Sequence, residues 1–321
     1  MVVGNLLFFI IASLALVVSG SFLVKHLSRI AGYLKIPGFV AAFIIMAFST
    51  SLPELFVGIT SALNKNPALA LGTVIGSNIA DLSIIIGIVV ILSRGIKVPS
   101  KTVRRDALYV FGIVVLVSGL MFLGDGLSRL DGVLLILVFV WYVFSLIRSR
   151  KRFSKQPMEE VKTKDIVFSV AVFVISIVAL YISAHFVVEY ASALALDLAL
   201  PPILIGLFLI AIGSSLPELV FQMRASAAGK SGMSLGDALG SVVSNSTLIL
   251  GVTALIHPIQ ADFTLFVVSA GFMIVITFIF LTFVESEDRL RVKEGISLIF
   301  LYVIFVVVEL FIRNLEGKNL F

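Results

Sequence analysis

The chain has no cysteine and only three histidines, His26, His185 and His257, among its 321 residues. Without a thiol it builds no disulfide, no thiolate metal site and no cysteine nucleophile, and its histidines are too scattered for an HExxH zinc motif. Charge is scarce as well. Asp, Glu, Lys and Arg make up 13% of the chain, where a soluble domain carries about 25%. That deficit excludes an ordinary soluble enzyme. What is abundant is apolar: 60% of the residues are hydrophobic, and the mean hydropathy is +1.16.

A helix needs about 20 apolar residues to cross the hydrocarbon core of a bilayer. Runs of that kind fall at about 4–33, 37–63, 67–93, 104–123, 130–148, 165–195, 201–228, 233–256, 263–284 and 295–313. The first run has no basic stretch ahead of it and no cleavage site before Lys25, so it reads as a retained helix. Ten helices with the N-terminus outside put 20 of the 24 basic residues in cytoplasmic loops and leave Lys65, Arg129, Arg313 and Lys318 opposite. The positive-inside rule is thereby satisfied, with both termini extracellular in the cell membrane. Orientation also accounts for the basic balance, so no nucleic-acid partner is expected. The basic stripe from Arg148 to Lys164 reads as an orientation signal, with binding of anionic lipid or a regulator as the alternative.

The chain repeats itself. A shift of 164 lays Ala47, Ser51, Leu52, Pro53 and Glu54 on Ala211, Ser215, Leu216, Pro217 and Glu218, and Gly76-Ser77 on Gly240-Ser241. Five helices per half is an odd number, so the second half must enter the membrane from the opposite side. The expected fold is all-α and polytopic: residues 1–148 form the first five-helix repeat, 149–164 a basic cytoplasmic linker, and 165–321 the inverted second repeat. Inverted repeats are a transporter architecture, with the substrate site near mid-membrane where broken helices meet.

Glu54 and Glu218 sit near the middle of their apolar runs, where a carboxylate is costly unless paired, protonated or bound to a cation. Pro53 and Pro217 lack an N–H and should kink each helix, freeing carbonyls near 47–50 and 211–214. Thr50 and Ser51 share a helical face with Glu54, and Ser214 and Ser215 share one with Glu218. Such oxygens are what a hard cation such as Ca²⁺ selects. On the third helix of each half, Ser77 and Asp81, and Ser241 and Asn245, are four apart and repeat the pattern, except that an acid stands opposite an amide. Gly72, Gly76, Gly236 and Gly240 read as packing positions. Asp237 reads as a cap or rim residue, Glu309 as an interfacial partner of Arg313, and His185 with Glu189 as a contact near the outer end of the sixth helix.

These motifs resemble those of the cation/calcium exchanger superfamily, whose two α-repeats each carry a G-[TS]-S-x-P-E type motif followed by a G-S-x-x-x-[ND] type motif. Here they are Ser49-Thr50-Ser51-Leu52-Pro53-Glu54 with Gly76-Ser77 and Asp81, and Gly213-Ser214-Ser215-Leu216-Pro217-Glu218 with Gly240-Ser241 and Asn245. The resemblance spans nearly the whole chain. It implies that Glu54 and Glu218 chelate Ca²⁺ with backbone oxygens at Thr50 and Ser214. It also implies that Ala47, Ser51, Ser77, Ala211, Ser215 and Ser241 line counter-ion sites, and that helices one and six slide across the remainder. Two features depart from the pattern. Ser49 replaces a glycine, and Asp81 and Asn245 stand in reverse order relative to the archaeal sodium/calcium form. The expected activity is Ca²⁺ extrusion in exchange for H⁺ or Na⁺, with no cofactor; hydroxyls suit sodium and buried carboxylates suit protons. A Ca²⁺-permeable channel is the competing reading. Nothing in the sequence sets the oligomeric state.

Overall fold

The computed structural model describes residues 2–33, 51–98, 101–124, 126–148, 163–227, 229, 231–260, 263–286 and 288–315. In chain order the helices are α1 (Val2–Tyr33), α2 (Leu52–Leu63), α3 (Pro67–Leu92), α4 (Lys101–Gly124), α5 (Arg129–Arg148), α6 (Thr163–Asp197), α7 (Pro202–Ala227), α8 (Ser231–Ile256), α9 (Phe263–Ser286) and α10 (Val292–Leu315). All but α2 contain a stretch long and apolar enough to span a bilayer, and the 12-residue α2 is apolar as well. The chain is a helical, multi-pass membrane protein. Ala47, Ser49, Thr50 and residues 149–162 lie outside the described residues.

Two short strands, β1 (Ile96–Lys97) and β2 (Arg289–Leu290), pair antiparallel, with Ile96 opposite Leu290. A second antiparallel bridge joins Leu127 to Ile259. A shift of 163 carries Ile96 onto Ile259 and Leu127 onto Leu290, so each bridge is the repeat image of the other. The first joins the α3–α4 connection to the α9–α10 connection. The second joins the α4–α5 connection to the α8–α9 connection. In each bridge, a connection after the third helix of one half meets the connection after the fourth helix of the other. Those two lie on one membrane face only if the halves are inverted. The β1–β2 face also gathers Arg94, Lys97, Arg104, Arg289 and Arg291, with an Arg104–Asp288 ion pair at 2.7 Å and Arg289 donating to the Arg94 carbonyl at 2.6 Å. We call it the basic face. At the other face Asn5, near the start of α1, donates to Asp197 at the end of α6 at 2.8 Å.

The buried apolar residues fall into two clusters. One is built from α3 to α5 and α7 to α10. The other centres on α1 and α6, through Phe9, Leu16 and Leu23 against Leu180, Ala184 and Val188, and takes in Leu52, Val57, Ile205 and Ile210. The outer sides of α1 and α6 are lined by exposed Phe8, Ile11, Leu14, Phe168 and Ile175, as a lipid-facing pair requires. In the larger body, helices cross at glycine. A Cβ on Gly87 of α3 would stand 2.6 Å from Ile299 Cγ1 and 2.7 Å from the Gly295 carbonyl oxygen of α10. Its image, Gly251 of α8, would meet Ile136 Cγ1 at 2.8 Å and the Gly132 carbonyl oxygen at 2.9 Å on α5.

These crossings set an expectation for stability. Gly87→Val and Gly251→Val should each lower the unfolding temperature in detergent, by about 1–3 kcal/mol of overpacking. Gly112→Ala on α4, where an added Cβ meets no described atom within 4 Å, should hold or raise it, because alanine is the better helix former by about 1 kcal/mol.

Candidate functional site

The site is built around two helix starts, one of them a break within α7. Ser51 (φ −82°, ψ 4°) and Ser215 (φ −83°, ψ 4°) adopt the same non-helical backbone. A new helix starts at Leu52 and at Leu216, with Pro53 and Pro217 in its first turn. Proline is tolerated there because the first-turn N–H groups have no intrahelical acceptor. The expected mid-helix kink is therefore a full restart on α7. Glu54 and Glu218 fall in the first turn of the restarted helices, at the end where the helix dipole favours negative charge. One expected free carbonyl is engaged: Ala211 O accepts from the Ser215 N–H at 3.0 Å and from the Ser214 hydroxyl at 3.3 Å. α1 lies across both breaks. A Cβ on its Gly20 would stand 3.1 Å from Pro53 Cγ, and one on Gly213 would face Ser13 Cβ at 3.8 Å.

The third helix of each half brings its own interruption. α3 turns π-helical over Asp81–Ile85 and α8 over Ser244–Ile249. The Ile86 N–H bonds the Asp81 carbonyl, and the Leu250 N–H bonds that of Asn245. These five-residue steps widen the turns that carry Asp81 and Asn245, as π segments often do at functional sites. A third π segment, Ile205–Ile210, leads into the α7 break. Periodicity predicted none of the three. Hydroxyls bonding back to the preceding turn, Ser83 to Ile79 O and Thr247 to Val243 O, accompany two of them.

The restarts and π turns bring the predicted residues together. Ser51, Glu54, Ser77, Asp81, Ala211, Ser214, Ser215, Glu218, Ser241 and Asn245 are all 3% exposed or less. Contacts cross the repeat: Glu54 stands beside Ser214, and Asp81 beside Ser215. Asp81 and Glu218 interact electrostatically with each other and with Glu54. Most buried polar atoms in folded proteins have a well-formed hydrogen bond, yet both Glu54 carboxylate oxygens, Asp81 Oδ1, Glu218 Oε2, Ser77 Oγ, Ser215 Oγ and Asn245 Oδ1 have none of good geometry, even with the Ser214 and Ser215 hydroxyls alongside. Carboxylate, hydroxyl and amide oxygens whose hydrogen bonding is incomplete are the ligand types a hard cation takes. Among the described residues no three acidic or histidine side chains converge tightly enough to hold a metal by themselves, so hydroxyl and backbone oxygens must complete any coordination shell.

Two residues were missed. Asp237, read as a cap or rim residue, is buried at 2% and acts electrostatically on Asp81 and Glu218. Gln222, fully buried, donates to Asp237 Oδ2 at 3.2 Å. The available signal was spacing: Asp237 precedes Ser241 by four residues, and Gln222 follows Glu218 by four. Glu309, read as interfacial, is instead buried at 1% and accepts from Ser269 of α9 at 3.2 Å, because α9 covers that side of α10. His185 and Glu189 do meet, at 4.0 Å on the exposed side of α6.

A family model described as sodium/calcium exchanger protein matches residues 4–148 and 168–311. The sodium/calcium exchanger MaX1 of Methanosarcina acetivorans is 29% identical over 97% of this chain and 100% of its own. The inner membrane protein YrbG of Escherichia coli is 28% identical over 79% and 80%. Solved structures of the sodium-calcium exchanger NCX_Mj superpose with TM-scores of 0.65 and 0.67 at 25% identity, covering 96% of this chain and 99% of that one.

The unpartnered oxygens predict a cation-dependent stability. Millimolar Ca²⁺ added after a chelator should raise the unfolding temperature of the purified chain, by about 2.7 kcal/mol where the ion is at 100 times its dissociation constant. Glu54→Gln and Glu218→Gln should each remove most of that gain.

Proposed function

The chain belongs to the sodium/calcium exchanger protein family, a family of transporters, and from that premise we propose that it is a secondary antiporter exchanging Ca²⁺ for Na⁺ across the cell membrane. The observation that carries the reading is the pair Glu54 and Glu218, at equivalent positions of inverted repeats, with three of their four carboxylate oxygens buried and without a well-formed hydrogen bond. One Ca²⁺ or several monovalent ions neutralise such a site, while the empty site keeps buried negative charge. The empty carrier is then costly to turn over, and exchange rather than leak follows. Sodium is favoured as the counter-ion because most of the surrounding oxygens are neutral hydroxyl, amide and carbonyl groups.

Alternating access falls to α1 and α6. They share an apolar cluster apart from the larger body, and α1 covers both helix breaks. Sliding this pair along the breaks would open the carboxylates first to one face and then to the other. The concentration of arginine and lysine at the β1–β2 face supports a cytoplasmic assignment for it, with both termini outside. Ca²⁺ then leaves the cytoplasm as Na⁺ enters.

Uptake of Ca²⁺ into vesicles tests the reading. An imposed Na⁺ gradient should drive it and a pH gradient alone should not; uptake driven by the pH gradient would move the assignment to protons. Flux that needs no counter-gradient would identify a channel. Glu54→Gln and Glu218→Gln should each slow exchange roughly 100-fold or more, since loss of one charge from a buried ionic site costs about 3–5 kcal/mol.

A further inference from the structure

The two halves differ most on the approach to the site from the basic face. Gln222 lies one turn beyond Glu218 on α7, and Ser226 another turn on, where its hydroxyl donates to Ser93 at the end of α3 at 2.8 Å. Across from them α8 enters at Ser231 and carries Ser234, Asp237 and Ser241 inward, with Asp237 about 9 Å from the helix start at 1.5 Å per residue. Gln222 and Ser234 are fully buried. The Gln222 amide nitrogen is spent on Asp237 Oδ2 at 3.2 Å, while its oxygen Oε1 and the Ser234 hydroxyl have no hydrogen-bond partner. Ser234 precedes Asp237 by three residues and so shares its face of α8, which puts a carboxylate, an amide oxygen and a hydroxyl along the α7–α8 contact.

The repeat images of these residues cannot do the same on the opposite approach. Gln222 corresponds to Gly58, where even a Cβ would meet Thr253 Oγ1 at 2.8 Å. Asp237 corresponds to Thr73, whose hydroxyl is bonded to the Leu69 carbonyl at 2.9 Å. The charged oxygen cluster is therefore one-sided.

We propose that Asp237, Gln222 Oε1 and Ser234 form a holding site for a monovalent cation on the basic-face side of Glu218, through which sodium passes between that face and the central carboxylates. Of these three ligands Asp237 supplies the one carboxylate and Gln222 and Ser234 neutral oxygens, and a single charged ligand suits a monovalent ion better than Ca²⁺, whose affinity rises with the number of charged ligands. Asp237 acts electrostatically on Asp81 and Glu218, so an ion held there lies within the field of the central carboxylates. The inference rests on the antiporter reading.

The test measures Na⁺ dependence face by face in vesicles. The chain lacks cysteine, so Ser231→Cys labelled with a membrane-impermeant maleimide reports which way the α7–α8 connection points. Asp237→Asn, close to isosteric, should raise the half-saturating Na⁺ concentration from the basic face about fivefold or more relative to that from the opposite face. Ser234→Ala, which leaves the Gln222–Asp237 bond in place, should shift the same ratio in the same direction. An unchanged ratio in both variants, from equal effects on the two faces or from no effect, overturns the proposal and leaves Asp237 a helix-packing residue. A wild-type chain that exchanges no Ca²⁺ for Na⁺ removes the antiporter reading first and the holding site with it.

Discussion

In hydrocarbon no water is at hand to satisfy a polar group, so every backbone or side-chain dipole must find a partner inside the protein or in a ligand. The described structure follows from that constraint. Helices satisfy their own backbones, and the regular helix is interrupted where the gathered side-chain oxygens lie. The breaks at Ser51 and Ser215 and the π turns at Asp81 and Ser244 are buried in protein rather than lipid. They bring carboxylate, hydroxyl and amide groups together without completing well-formed hydrogen bonds among them. A set of oxygens left in that state is costly for the empty protein, and on the proposed reading the same imbalance supplies the affinity for a cation.

Duplication with inversion explains how one short motif makes a two-sided site. Each half contributes a helix that begins at the Leu-Pro-Glu motif and holds the glutamate at its positive end, and a π-distorted helix whose widened turn holds Asp81 or Asn245. The matched bridges at Ile96–Leu290 and Leu127–Ile259 fix the halves to each other at opposite faces, and the glycine crossings at Gly87 and Gly251 repeat the same close approach. That body has little freedom to change shape, since backbone meets backbone at its crossings. α1 and α6 instead meet one another through side chains of graded size and face lipid on their outer sides. Motion along them disturbs fewer close contacts. The symmetry is broken by individual residues, Asp81 against Asn245, Asp237 against Thr73 and Gln222 against Gly58, and through them the two faces of the membrane become chemically distinct.

Much of this was legible before any coordinates. Runs of about twenty apolar residues are local facts, and the ends of α3, α5 and α7 lie within one residue of where composition placed them. The Ser-Leu-Pro-Glu pair announced the site because a carboxylate and a proline in mid-membrane demand an explanation, twice over. Asp237 and Glu309 misled for the opposite reason. Each stands near a helix end in the sequence, where an acid is normally wet, and only the neighbouring helices bury it.

The sequence by itself determined that the chain crosses the membrane repeatedly as two inverted halves, and it singled out Glu54 and Glu218 as the acids expected at its centre. Both follow from hydropathy and from internal repetition, which need no tertiary contact to be read. The tertiary structure decided where the helices stop being regular, which oxygens are left without donors, and that Gln222 and Asp237 join one approach and not the other. Those outcomes depend on distances between residues far apart in the chain. Whether a buried oxygen has a donor is a property of its neighbours, and no local pattern in the sequence encodes who those neighbours are.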